Sequence, residues 1–181
     1  MELWDKFLDR ALLTHPDPRS TVLALSQIPY GRPSQPTPAA VIDDWKGTCS
    51  TKHLLLRELF GACWPSTQVQ LLHRVYRMTR DTARARWGVD VASAVPSKGL
   101  IDVHTYATAR LPGEPIVLDV TFPLIEWDGH SPMEVASGPG RDCFAGPEPM
   151  AEKQRLVEAY CDPTKREPFI AALSAALGAG A

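Results

Sequence analysis

"LIDVHTYATARLPGEPIVLDVTF", residues 100–122, decides how this chain folds. Two extended runs rich in β-branched and aromatic residues flank "LPGE" at 111–114, whose Pro-Gly pair signals a turn. The stretch predicts an antiparallel hairpin. With Leu111–Glu114 as the turn, the numbers of facing residues sum to about 225, so Asp119 faces Tyr106. Strand side chains alternate, which makes His104 the diagonal neighbour of Asp119 on the same face. Diagonal neighbours lie roughly 7–8 Å apart at the backbone, within reach of a His–Asp pair. Ile101, Val103, Thr105 and Ala107 form the opposite face and are expected to pack on the core, leaving the His104 face to present the pair. Asp102, two residues before His104, is the rival carboxylate. Cross-strand reach favours Asp119 over this same-strand neighbour.

Upstream stands "WKGTCSTKH", residues 45–53. Thr48 suits an N-cap, and "CSTKHLLLRELF" then reads as a helix ended near Gly61. Its leucines fall on more than one face, as in a helix buried at the middle of a fold. A cysteine in a first helical turn lies beside unpaired N–H groups and the positive end of the helix dipole. That favours the thiolate, the form in which sulfur is a nucleophile. Cys49, His104 and Asp119 thus supply a nucleophile, a base and a carboxylate to orient the base. The N–H of Cys49 is positioned to donate to an oxyanion.

Four further residues are candidates for substrate binding or oxyanion support. Trp45 precedes the cysteine by four residues and offers a cleft wall or an indole N–H. Tyr30 and Arg32, in the proline-rich "IPYGRPSQPTPA" loop, reach toward the mouth of a cleft, where an arginine suits a substrate carboxylate. Tyr106 shares a face with His104. For each, ordinary packing or an exposed loop position is the competing reading. His53 follows Cys49 by four residues on the same helix face, and Lys52 borders it. A Cys-x₃-His pair alone falls short of the four ligands of a structural zinc site, and Cys63, Cys143 and Cys161 do not complete one. No metal and no cofactor are expected. His15, His73 and His130 show no partner pattern, and Arg80, Arg84 and Arg86 read as a solvated face.

"GTCSTKHLLL", then "DVHTYA" 55 residues on, then "VLDVTFP" 15 further, resembles the transglutaminase-like superfamily of papain-type cysteine enzymes over roughly residues 28–123. The wider segment from "IPYGRPS" to "WKGTCSTKH" resembles an uncharacterised bacterial branch of those proteins. The resemblance implies an α+β fold in which the cysteine opens a central helix packed on an antiparallel β-sheet of three to five strands, with flanking helices at both ends. It also implies thiol acyl chemistry on a peptide, protein or small amide substrate through a thioester, resolved by water or an amine. Arylamine N-acetyltransferases share the Cys–His–Asp order, but "WKGTCSTKH" is poorer in Arg and Gly than their motif, which disfavours a coenzyme-dependent acetyltransferase. The reading from another class is a catalytically silent binding module that keeps the fold, with the 29–38 loop plugging the cleft.

The 181 residues suit one domain, and the 44% hydrophobic and 22% charged content is that of a soluble protein. A net charge of −2, with no long basic block, argues against nucleic acid or an anionic membrane as partner. "MELWDKFLDRALL" mixes charge into its apolar positions and lacks the core of a secretory signal, so the four cysteines are expected reduced and the chain cytoplasmic. Helices are also expected over 2–13, 18–28, 150–161 and 167–178, and a strand over 69–78. Residues 79–98 read as loop, and 123–149 as a Gly- and Pro-rich surface wrap.

Overall fold

The computed structural model describes residues 2–178. In chain order it contains α1 (Leu3–Ala11), α2 (Pro18–Gln27), α3 (Pro38–Asp44), α4 (Cys49–Cys63), β1 (Gln70–Met78), α5 (Arg80–Ser93), β2 (Leu100–Ala109), β3 (Ile116–Leu118), β4 (Gly140–Phe144), α6 (Pro149–Tyr160) and α7 (Pro163–Gly178). The class is α+β, with one antiparallel sheet ordered β3-β2-β1-β4.

The hairpin takes the expected register, pairing Ala107 with Leu118, Thr108 with Val117 and Ala109 with Ile116. It is shorter than expected, because β3 stops at Leu118 and Asp119 lies just past the ladder. From Leu100 to Tyr106, β2 therefore pairs with β1 alone and keeps its other edge free of strand.

Both faces of the sheet are covered, which corrects the expectation of one packed and one presenting face. On one side, Leu71, Ala107, Ala109 and Leu118 join Leu54–Leu56, Leu59 and Phe60 of α4, with α1–α3 outside them. On the other, Tyr76, Met78 and Leu100 pack against Ala83 and Val91 of α5 and Phe169, Ile170 and Leu173 of α7. As a result β2 is buried along nearly its whole length rather than alternately. A strand buried on both faces loses the period-2 polarity from which its exposure is normally read.

Three elements depart from the sequence reading. Residues 80–93, expected as loop, form α5, started by Thr79, whose hydroxyl accepts from Thr82 N. Gly88, at φ 88° and ψ −175°, breaks the helix in two, which is why the helical period is hard to see. The proline-rich loop ends early, because Thr37 caps Pro38–Asp44 and proline is at home in a first helical turn. Within 123–149, Gly140–Phe144 is not surface wrap but the edge strand β4. Arg74 holds it from β1 by a two-pronged bond to the Asp142 carboxylate at 2.6 and 2.8 Å. Among the described residues, no helix is long and apolar enough to cross a membrane.

Candidate active site

Thr48 is the N-cap of α4, and its N–H donates to Thr51 Oγ1 at 2.9 Å. Gly47 precedes the cap because no side chain fits there: a Cβ would lie 2.6 Å from Lys52 Cγ. That lysine cannot yield. Its buried Nζ donates to the carbonyls of Ser26, Ile28 and Thr121 at 3.0, 2.9 and 3.1 Å, tying α2 and the segment after β3 to the first turn of α4. Burial draws its pKa down to about 7, against Asp119 and Cys49, while three carbonyl acceptors use every N–H of the charged form.

His53 fixes the same turn from its other side. Nδ1 lies 2.6 Å from the Cys49 carbonyl, and Nε2 accepts from Val120 N at 3.1 Å. A carbonyl only accepts and a backbone N–H only donates, so the ring is the neutral Nδ1–H tautomer. Burial lowers its pKa, in the same sense. With both nitrogens occupied, His53 is not a partner for a metal at Cys49. No three His, Cys, Asp or Glu side chains among the described residues gather as a metal set.

Cys49 is thereby held at the strand-free edge of β2, with 6% of its surface exposed. His104 Nε2 donates to Asp119 Oδ2 at 2.7 Å. Asp119 also accepts from Thr121 N at 3.0 Å and Ala136 N at 2.8 Å. Burial alone raises a carboxyl pKa, but His104 and these donors hold Asp119 well below the usual carboxylate range. Burial likewise opposes a charged His104, yet Asp119 first and Cys49 after it raise the imidazole to about 10. At the sulfur, burial pushes the thiol up. The Lys153 ammonium, the imidazole of His104 and the Thr105 backbone N–H outweigh it and leave Cys49 well below a free thiol. Both shifts favour a thiolate beside an imidazolium. The expected rival, Asp102, is engaged elsewhere: it accepts from Arg166 Nε at 2.6 Å and Tyr76 Oη at 3.1 Å.

Sequence reading missed Lys153. From α6 its Nζ donates to Cys49 Sγ at 3.1 Å and to Ser50 Oγ at 2.5 Å, and only 8% of the residue is exposed. His73, assigned nothing from sequence, stands behind it. Its Nε2 donates to the carbonyl of Pro149, which opens α6, at 2.8 Å. Its Nδ1 therefore accepts from Thr105 Oγ1 at 3.0 Å, Thr105 accepts from Ser50 Oγ at 3.2 Å, and Ser50 accepts from Lys153. Every hydroxyl in this row points one way.

Cys49 opens onto a cleft of about 330 Å³ whose walls include Tyr30, Arg32, Met150, Lys153 and Arg166. The 29–38 loop lines this cleft through Pro33 and Pro36 rather than plugging it. Tyr30 is buried beside the sulfur, and Arg32 is exposed at the rim, bonded to Glu167 at 2.7 Å. A second space of about 20 Å³ adjoins Cys49 on the His104 side. Trp45 and Tyr106 line neither space. Trp45 packs against Phe7 at 6.4 Å between ring centroids, under the Arg10 guanidinium. Tyr106 lies under Arg74. The chain matches no family model, no curated protein and no solved structure.

Proposed function

We propose that this chain is a cysteine-dependent acyl-transfer enzyme of the transglutaminase-like, papain-type kind, acting on an amide or peptide carbonyl. One observation carries the reading: a buried 2.7 Å His104–Asp119 bond beside a helix-opening cysteine whose thiol is held far below its ordinary pKa. The thiolate of Cys49 attacks the carbonyl carbon, and the π pair moves to oxygen. The backbone N–H of Cys49, which has no acceptor among the described residues, faces that charge. Collapse expels the amine, to which the His104 imidazolium gives its proton, and a thioester remains. Asp119 keeps Nδ1 of the ring toward the sulfur throughout.

Hydrolysis is the favoured second half. The space beside His104 has about the volume of one water, and neutral His104 is the base that would activate it. The test is trapping of the acyl-enzyme. After mixing with p-nitrophenyl acetate, intact mass should show one acetyl group on Cys49, released on standing and absent from Cys49→Ala. An unlabelled Cys49 together with unchanged ester turnover in Cys49→Ala would sink the reading.

A further inference from the structure

Lys153 does more than sit near the sulfur. Its ammonium carries three N–H groups; Cys49 Sγ and Ser50 Oγ take two, and the third has no partner among the described residues. The residue lines the large cleft together with Cys49, Ser50 and Thr51, whereas His104 lines only the small space on the other side. The sulfur thus has a cation on each flank, one toward the proton-transfer side and one toward the substrate side. A lysine so deeply buried is normally neutralised or tied to structural acceptors. This one is aimed, through the row from His73 to Ser50, at the reacting atom and the open cleft.

We propose that Lys153 is a catalytic residue whose ammonium follows the negative charge from sulfur to oxygen during acylation. This rests on the acyl-transfer reading of the site. In the resting enzyme the ammonium faces the thiolate. As the C–S bond forms, the π pair of the carbonyl moves to an oxygen two bonds from the sulfur, and the sulfur becomes neutral. The ammonium then turns its free N–H to that oxygen, completing a two-donor hole with the Cys49 N–H. When the C=O bond reforms, the leaving group takes the bonding pair, and Lys153 returns to a neutral thioester with its proton still in place. The anion, on sulfur and then on oxygen, is thus paired until the thioester forms, in a site shielded from water, where pairing matters most.

The competing role is purely one of position, in which Lys153 only lowers the thiol pKa. Two reactions of the same sulfur separate them. Alkylation by iodoacetamide is a displacement at carbon that develops no oxyanion; acylation by p-nitrophenyl acetate develops one. Both rates are measured against pH in wild type, Lys153→Met and Lys153→Leu, and each is divided by the thiolate fraction from its own profile. Folding is checked by thermal melting, and the leucine variant serves if the methionine variant does not fold. The proposal expects acylation per thiolate to fall about 100-fold, the usual loss of one oxyanion donor, with alkylation per thiolate changed by no more than a few-fold. Equal effects on the two rates would overturn it and leave Lys153 a positioning residue. A wild type that is alkylated but never acylated would remove the acyl-transfer reading itself, and the proposal with it.

Discussion

His104 has two neighbours that pull its protonation the same way, the Asp119 carboxylate and the Cys49 thiolate. Asp119 also fixes which ring nitrogen faces the sulfur, since its Oδ2 holds Nε2. Asp119→Asn preserves the volume but presents an amide that neither compensates an imidazolium nor enforces the tautomer. Ester turnover at pH 7 should fall about 10³- to 10⁴-fold while the melting curve stays cooperative. A loss under tenfold would mean that Asp119 does not serve His104. These three residues were legible in the sequence for local reasons. Cys49 follows an N-cap, and His104 and Asp119 sit on one hairpin whose turn sets the register. Lys153 and His73 were not. Lys153 meets Cys49 across 104 residues, through a helix whose docking no local pattern records. His73 is assigned its role by Pro149, 76 residues away.

At the scale of elements, regular period and capping made α1, α2, α4 and β1 legible, and their bounds fall within a few residues of expectation. α5 was hidden by Gly88, whose backbone lies where only glycine is at ease. A Cβ at that glycine meets nothing within 4 Å, so substitution isolates backbone strain from crowding. Gly88→Ala should cost about 1–3 kcal/mol and lower the melting temperature by roughly 2–4 °C per kcal/mol, without changing turnover at Cys49. An unchanged or raised melting temperature would show that the break in α5 is not imposed by Gly88. β4 was hidden differently. Its five residues are mostly exposed, and their place in the sheet comes from Arg74 and from the close pass of Gly140 over Val75 O, where a Cβ would stand at 2.6 Å. Short edge strands carry little pattern of their own.

Across the whole molecule, the sheet separates two apolar clusters, and the site lies where α4 comes round the strand-free edge of β2 between them. The short β3 makes that edge available. Longer pairing beyond Leu118 would close the place where the sulfur sits. The same arrangement ties stability to pH through buried groups. His104 has its folded pKa raised from 6.5 to about 10, so its stabilisation is fully present below 6.5 and is lost as pH rises through 10. Asp119 has its folded pKa lowered from 3.8, so its stabilisation is present above that value and is lost as pH falls through the lower one. The contribution of these two groups to stability should therefore be full between about pH 4 and 6.5 and decline on both sides. In Asp119→Asn the alkaline decline should be smaller and end at a lower pH, because the folded pKa of His104 loses its first-ranked raising partner. A variant whose alkaline limb matches wild type would separate the two groups.

The most direct measurement is the pH dependence of iodoacetamide alkylation at each cysteine, read by mass spectrometry, in wild type and His104→Ala. Burial raises the thiols of Cys63 and Cys161, the latter to about 11, so they are built-in references for an unassisted sulfur. Cys49 should react with a midpoint far below the ordinary thiol value of about 8.5, and this midpoint should rise in His104→Ala. A Cys49 that titrates with Cys63 and Cys161, or whose midpoint does not move when His104 is removed, would contradict an assembled thiolate–imidazolium pair.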